Sequence, residues 1–275
     1  MKLLEHYIQS KSGDMSTCED TFIINESFAC VIDGATNVSG KVYDGKTPGQ
    51  LAASTTRKAI SELKGDETIQ EIVDRINHHY RKLYESLEIM DKMKENPYMR
   101  PSAAMIIYSQ HHRKIWMIGD CQCYFNSRLH QNLKHIDEVF SEVRSIVLKG
   151  ELLAGRKVSE LIEDDIGFEI IRPLIQKQYN FQNTDPDCSL SYGVINGFNI
   201  PPSLIEEIPV PGNVEQIAFA SDGYPKIFET LEESEQELAR LSELDPLCIN
   251  EMIATKGISQ GNQSFDDRTY IRFKI

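Results

Sequence analysis

Two pairs of short apolar runs, each pair joined by a polar turn, constrain the fold of this chain most strongly. The first pair comprises residues 21–24 and 28–32, and the second comprises residues 103–109 and 114–119. Apolar runs of this length, separated by turn-forming residues, predict β-hairpins. Because a hairpin makes its two strands antiparallel, the pattern favours an antiparallel sandwich over a doubly wound parallel sheet.

Helical patterns separate and follow these hairpins. Apolar residues recur every three or four positions across residues 69–87, which predicts an amphipathic helix with one buried face. Residues 137–199 mix weak helical patterns with turn residues and give no firm assignment. The remaining predictions are a helix over 49–63, helices within 226–241 and 246–256, and strands over 216–221 and 268–275. Paired strands separated by helices predict an α+β fold.

Size and charge limit the domain organisation and the partners. The chain has 275 residues, of which 40% are hydrophobic and 26% charged, and it contains no low-complexity linker or internal repeat. A single domain over residues 1–275 is therefore expected. The formal net charge of −13 would repel a nucleic-acid backbone or an anionic membrane, so we expect neither as a partner. The sequence leaves the number of subunits open.

The cysteines and the N-terminal residues bear on the cellular compartment. Residues 1–13 lack the apolar core of a signal peptide, and no run reaches membrane-spanning length. The six cysteines include neither a Cys-x-x-Cys pair nor a Cys/His set at zinc spacing. Without an export signal they are expected to be reduced thiols, which predicts a cytoplasmic location.

Acidic residues border five of the apolar runs. Asp33, Asp120 and Asp222 each follow such a run, whereas Glu19-Asp20 and Asp266-Asp267 come directly before one. In an antiparallel sheet the end of one strand and the start of its neighbour share an edge, so these acids could converge on one rim. A carboxylate cluster repels itself unless cations neutralise it.

The residue types favour a site for hard divalent cations. Each Asp-Gly pair, taken alone, is typical of a turn. Taken together, acids at five strand ends are better explained as ligands, because Mg²⁺ and Mn²⁺ prefer carboxylate and carbonyl oxygens. Two such ions about 4 Å apart can hold a hydroxide and neutralise a phosphoryl group during its transfer.

These motifs resemble those of the PP2C family of metal-dependent protein serine/threonine phosphatases, and the chain resembles a divergent, bacterial-type member. The family has five ordered motifs: Glu-Asp, Asp-Gly, a Gly-Asp turn, Ser-Asp-Gly and a late Asp-Asn. Here they are Glu19-Asp20, Asp33-Gly34, Gly119-Asp120, Ser221-Asp222-Gly223 and Asp266-Asp267. No single motif is specific, but the ordered set spans nearly the whole chain.

The resemblance implies a four-layer α-β-β-α sandwich, in which helices flank two antiparallel sheets. It implies two or three Mg²⁺ or Mn²⁺ ions, with Asp33 and Asp222 as catalytic ligands. Asp33 would bridge two ions, and Asp266 would complete the first site with Asp222. The other implied ligands are Glu19 and the Gly34 carbonyl for the second ion and Asp120, with Asp222, for a third. A metal-bridging water would attack phosphorus, and residues 137–199 would form a variable flap.

The chain departs from the family where the phosphate is handled. Met15 stands where many members have a phosphate-binding arginine, and Ala35 and Thr36 stand where eukaryotic members often have a histidine general acid. Lys11 is the nearest basic residue and is expected to be a solvated surface lysine. The phosphate-binding residues are therefore not identified from the sequence, and altered substrate preference or weak activity is expected.

The sequence predicts metal-dependent hydrolysis of phosphoserine or phosphothreonine in a phosphoprotein substrate. Two alternatives remain. A pseudophosphatase would keep the fold and bind a partner without turnover, which the missing arginine and histidine favour. A hydrolase of small phosphate esters is the other alternative, although no Gly-rich phosphate loop supports a nucleotide site.

Overall fold

Ten strands form two antiparallel sheets in the computed structural model, which describes residues 1–275. The strands are β1 (Lys2–Gln9), β2 (Asp20–Ile24), β3 (Phe28–Gly34), β4 (Ala103–Ser109), β5 (Lys114–Ile118), β6 (Gln122–Phe125), β7 (Arg128–Gln131), β8 (Glu206–Pro209), β9 (Gln216–Ala220) and β10 (Arg268–Lys274). One sheet has the order β1-β10-β9-β6-β7 and the other β2-β3-β4-β5-β8. Both predicted hairpins, β2-β3 and β4-β5, are confirmed.

Seven α-helices accompany the sheets. They are α1 (Pro48–Ser61), α2 (Ile69–Ser86), α3 (Met90–Glu95), α4 (His135–Leu153), α5 (Val158–Glu163), α6 (Ile166–Gln178) and α7 (Leu231–Leu244). Thr47, Thr68 and Thr230 begin α1, α2 and α7 with capping boxes, in which the threonine side chain accepts a hydrogen bond from a backbone amide of the first turn. No helix combines the length and the apolar character needed to cross a lipid bilayer.

The layers follow from where the apolar side chains are buried. Inward-facing residues of both sheets, such as Val31 and Phe219, form one core between the sheets. Helices α1 and α2 cover the outer face of the sheet that contains β3, where Ile76 and Tyr80 are buried. Helix α7 covers the outer face of the other sheet through Leu238. The predicted α+β class and the four-layer α-β-β-α arrangement are therefore confirmed.

The predicted helix within residues 246–256 is wrong. The Asp245 carboxylate accepts hydrogen bonds from the backbone amides of Ile249, Asn250 and Glu251 at 2.6–3.1 Å, which holds the segment in turns. Cys248 has a φ of 52°, which a helix does not permit. Side-chain acceptors that capture local amides compete with helical hydrogen bonds.

The sequence gives no assignment for four of the strands or for one longer segment. Strands β6, β7 and β8 have four residues each and β1 is half polar, so their pairing partners rather than their own pattern define them. The segment 137–199 contains most of α4, together with α5 and α6 and loops. Helices α4 and α6 pack against each other beside the sandwich, through contacts such as Arg144 against Gly167.

Candidate functional site

Three predicted acidic positions meet where strand ends of the two packed sheets come together. Asp20 and Asp33 are direct partners in the β2-β3 pairing. The backbone amide of Asp222, which follows β9 of the other sheet, donates a hydrogen bond to Asp33 Oδ2 at 3.4 Å. The hydroxyl of Thr269 in β10 donates to Asp20 Oδ2 at 2.9 Å. The strand ends therefore bring together carboxylates that are as much as 202 residues apart in the chain.

Four of the six predicted ligand residues line one cavity. This cavity has a volume of about 150 Å³, and its wall includes Asp33, Asp120, Asp222 and Asp266. Glu19 does not line it; its carboxylate accepts a hydrogen bond from the Thr47 hydroxyl at the start of α1.

Glycine at position 34 allows close packing of the backbone beside Asp33. The Gly34 amide donates a hydrogen bond to the Glu19 carbonyl at 3.2 Å. A Cβ atom at position 34 would lie 2.5 Å from that carbonyl oxygen and 2.5 Å from the Gly49 carbonyl oxygen. Any larger residue would therefore push β3 away from α1. Gly223 is constrained in the same way, because its Cβ would lie 1.9 Å from the Asp267 carbonyl oxygen.

Asp267 has a positioning role that the sequence did not reveal. The residue is 3% exposed, and its two carboxylate oxygens accept hydrogen bonds from backbone amides. Oδ1 accepts from the Lys11 amide at 2.9 Å, and Oδ2 accepts from the Glu19 amide at 2.7 Å. Asp267 therefore joins the start of β10 to the segment between β1 and β2.

Three lysines pair with the predicted ligands. Lys11 Nζ lies 2.9 Å from Asp266 Oδ1, and Lys256 Nζ contacts Asp266 Oδ2. Lys134 Nζ lies 2.7 Å from Asp120 Oδ2. The expectation that Lys11 is a solvated surface lysine is therefore wrong. Neither Lys134 nor Lys256 lies in a recognisable sequence motif, so the sequence alone does not indicate that either lysine belongs to the site.

Burial and mutual repulsion raise the pKa of several carboxyl groups. Burial raises the pKa of Glu19 to about 7 and that of Asp20 to about 8. Burial, with repulsion from neighbouring aspartates, raises the pKa of Asp33 and of Asp222 well above the usual range. Burial would also raise the pKa of Asp266, but Lys256 and Lys11 outweigh it and hold that pKa below its usual value.

The predicted ligand atoms are of the type that a hard divalent cation prefers, but side chains must move before they can coordinate one. Every predicted ligand atom is an oxygen, and two buried carboxylate oxygens, Asp20 Oδ1 and Asp222 Oδ1, have no hydrogen-bond partner. Such orphaned anionic oxygens are costly unless a cation satisfies them. In this conformation no three His, Cys, Asp or Glu side chains are arranged to hold a metal ion.

The raised pKa values predict how stability depends on pH without metal. Between about pH 5 and pH 8 the folded protein should bind more protons than the unfolded chain, because Glu19 and Asp20 titrate near 7 and 8 when folded. The free energy of unfolding should therefore fall as pH rises through this interval. Asp266, with its lowered pKa, contributes in the opposite direction only at more acidic pH. Melting temperatures measured in chelator across this interval test the prediction, and a flat or rising profile would contradict it.

Comparisons with known proteins identify structural neighbours only. No protein-family model and no curated protein sequence matches the chain. The serine/threonine phosphatase Stp1 from Staphylococcus aureus matches with a TM-score of 0.50 and 14% identity, covering 100% of this chain and 95% of that chain. The catalytic domain of the phosphatase PstP, solved with two manganese ions, matches with a TM-score of 0.49 and 14% identity over 100% of both chains.

The similarity to Stp1 concerns the whole sandwich, because it covers the full length of this chain. At 14% identity it shows the fold and not the activity. In this chain the two five-stranded sheets bring Asp33, Asp120, Asp222 and Asp266 to the wall of one cavity. This chain therefore has the fold of the PP2C-type bacterial serine/threonine phosphatases, as its sequence motifs predict.

Proposed function

We propose that this protein is a metal-dependent phosphatase that hydrolyses phosphoserine or phosphothreonine in proteins. The observation that carries the proposal is the meeting of Asp33 and Asp222, from two different sheets, in the wall of one cavity. Five aspartates but only two lysines line this cavity, which leaves an excess of three negative charges if all are ionised. Bound cations would remove the resulting repulsion.

The proposed ligands are those that the resemblance assigns. Asp33 would bridge two ions, Asp222 and Asp266 would hold the first, and Glu19 and the Gly34 carbonyl the second. A third ion would use Asp120 together with Asp222. Two or three Mg²⁺ or Mn²⁺ ions, when bound, would supply an activated water and neutralise the phosphoryl group.

The cavity walls suggest how the chain would hold its substrate. A volume of about 150 Å³ admits a phosphoryl group and the end of a side chain, but not a folded protein surface. A wider groove of about 590 Å³ adjoins the cavity and shares Asp120, Lys134 and Asp222 with it. The groove would receive the residues that flank the phosphorylated one. This shape favours a peptide over a small phosphate ester.

Residues 137–199 are proposed to act as the flap within a single domain. Phe168, Gln178 and Tyr192 of this segment line the cavity. Gln178 is buried, and its Oε1 has no hydrogen-bond partner. An unsatisfied acceptor of this kind would suit a donor from the substrate backbone. All six cysteines are free thiols, which agrees with the proposed cytoplasmic location.

A pseudophosphatase is the second candidate, and one observation favours it. The Asp266 carboxylate already receives the ammonium groups of Lys11 and Lys256, and Asp120 receives that of Lys134. A metal ion at either carboxylate must displace an ammonium group. If that displacement is too costly, the protein would bind a phosphorylated partner without turnover.

Phosphate release from a phosphothreonine peptide tests the proposal. The wild-type protein and the Asp222→Asn variant are each assayed with Mn²⁺, with Mg²⁺ and with excess chelator. The assay is then repeated on a small panel of other phosphopeptides and on a small aryl phosphate. We expect release that requires both the metal and Asp222 and that prefers peptides. A folded protein that releases nothing at saturating metal would favour the pseudophosphatase, and a preference for the aryl ester would favour the small-ester hydrolase.

A further inference from the structure

Lys256 occupies an unusual position in the cavity wall. It lies in the irregular segment after α7, and its ammonium contacts Asp266 Oδ2 and donates a hydrogen bond to the Thr36 hydroxyl at 3.0 Å. The residue lines the same cavity as Asp33 and Asp222. Its side chain is 26% exposed.

The ion pairs of Lys256 differ from those of Lys134, the other lysine in the cavity wall. Two ammonium groups, from Lys11 and Lys256, share the single carboxylate of Asp266. Lys134, the other lysine in the cavity, lies between the carboxylates of Asp120 and Asp137, at 2.7 and 3.2 Å. Lys134 thus contacts two carboxylates directly, whereas Lys11 and Lys256 share one. Of this pair, only Lys256 lines the cavity.

Lys256 also lies where an extended substrate would enter. It lines both the 150 Å³ cavity and the adjoining 590 Å³ groove. A phosphorylated side chain that reaches from the groove towards Asp33 would pass this ammonium. Met15, by contrast, is 45% exposed and lines neither space, so nothing at its position contributes to the cavity.

We propose that Lys256 is the phosphate-binding cation of this protein: the Thr36 hydroxyl holds its ammonium at the cavity wall, and once a metal ion occupies Asp266 that ammonium would be free to contact the phosphate. The ligand class is a phosphate monoester dianion. A lysine ammonium binds phosphate as a point charge, and the resulting hydrogen bonds are charge-assisted. The inference rests on the proposed function for the nature of the ligand, but binding does not require turnover.

Binding of inorganic phosphate, measured by calorimetry on the Mg²⁺-saturated protein, tests this inference. Lys256→Met should weaken phosphate binding about tenfold or more, because one charge-assisted contact is lost. Lys256→Arg should retain most of the affinity. The matched control is Lys114→Met, which removes the same charge from an ion pair with Glu207 that lies outside both spaces. That control should bind phosphate as the wild type does.

The outcomes separate this inference from the proposed activity. Wild-type affinity in Lys256→Met, or no phosphate binding by the wild type, would overturn the inference. Lys256→Gln provides a second uncharged variant, and melting curves show that each variant is folded. If the wild type hydrolyses phosphopeptides and Lys256→Met leaves their KM unchanged, the inference fails and the activity stands. If no protein shows turnover but Lys256→Met loses phosphate, the activity fails and the phosphate site stands.

Discussion

Replacing Asp33 by asparagine is expected to reduce metal-dependent phosphate release by on the order of a thousandfold or more. Asp33 pairs with Asp20 across the β2-β3 hairpin, and its carboxylate accepts a hydrogen bond from the backbone amide of Asp222. An amide in its place would provide one neutral oxygen instead of a charged ligand able to bridge two ions.

The same variant should have a distinctive stability profile. Burial and repulsion from Asp20, Asp266 and Asp120 raise the pKa of Asp33, so its charge opposes folding when no metal is present. Asp33→Asn should therefore melt at the same temperature as the wild type in chelator, or at a higher one. It should gain much less from added Mn²⁺, because its metal affinity is reduced. Wild-type turnover, or an unchanged metal-induced rise in melting temperature, would contradict the assignment of Asp33.

Replacing Arg144 by methionine is expected to destabilise the protein by about 3–5 kcal/mol. The Arg144 side chain is fully buried, and its guanidinium makes a paired contact with Asp165 at 2.7–2.9 Å. It also donates to the Leu247 carbonyl at 2.8 Å and to the Ala254 carbonyl at 3.1 Å. The substitution leaves the Asp165 charge and these two carbonyl groups without their donor.

Arg144 also supports the candidate site from a distance. Its contacts with Leu247 and Ala254 hold the irregular segment that carries Lys256 against α4. Arg144→Met should therefore weaken phosphate binding as well as stability. Arg240→Met is the matched control, since Arg240 pairs with Glu237 at the surface of α7, and little change is expected there. Urea unfolding of both variants measures the difference, and equal stability would contradict the role of Arg144.

The sequence predicted those elements whose signals are local. The hairpins β2-β3 and β4-β5 were recognised from apolar runs around a turn, and the long helix α2 from its apolar periodicity. Both signals lie within one stretch of sequence and can be read without knowing any tertiary contact. The acidic motifs were also visible, because each interrupts or borders an apolar run. Short strands such as β7 were missed because their four residues carry too little pattern. The segment 246–256 was assigned to a helix because the capture of its amides by Asp245 does not show in periodicity.

By itself, the sequence determined the α+β class, the order of the acidic motifs and the positions of Asp33 and Asp222 at strand ends. Which cations these acids contact depends on the packing of elements far apart in the chain. Lys11 reaches Asp266 across 255 positions in the chain, and no local pattern marks such a pair. The physical reason is that strand ends are set by local patterning, whereas ion pairs depend on how distant elements pack. The lysines that distinguish this site therefore become visible only when the two sheets and the irregular segment are assembled.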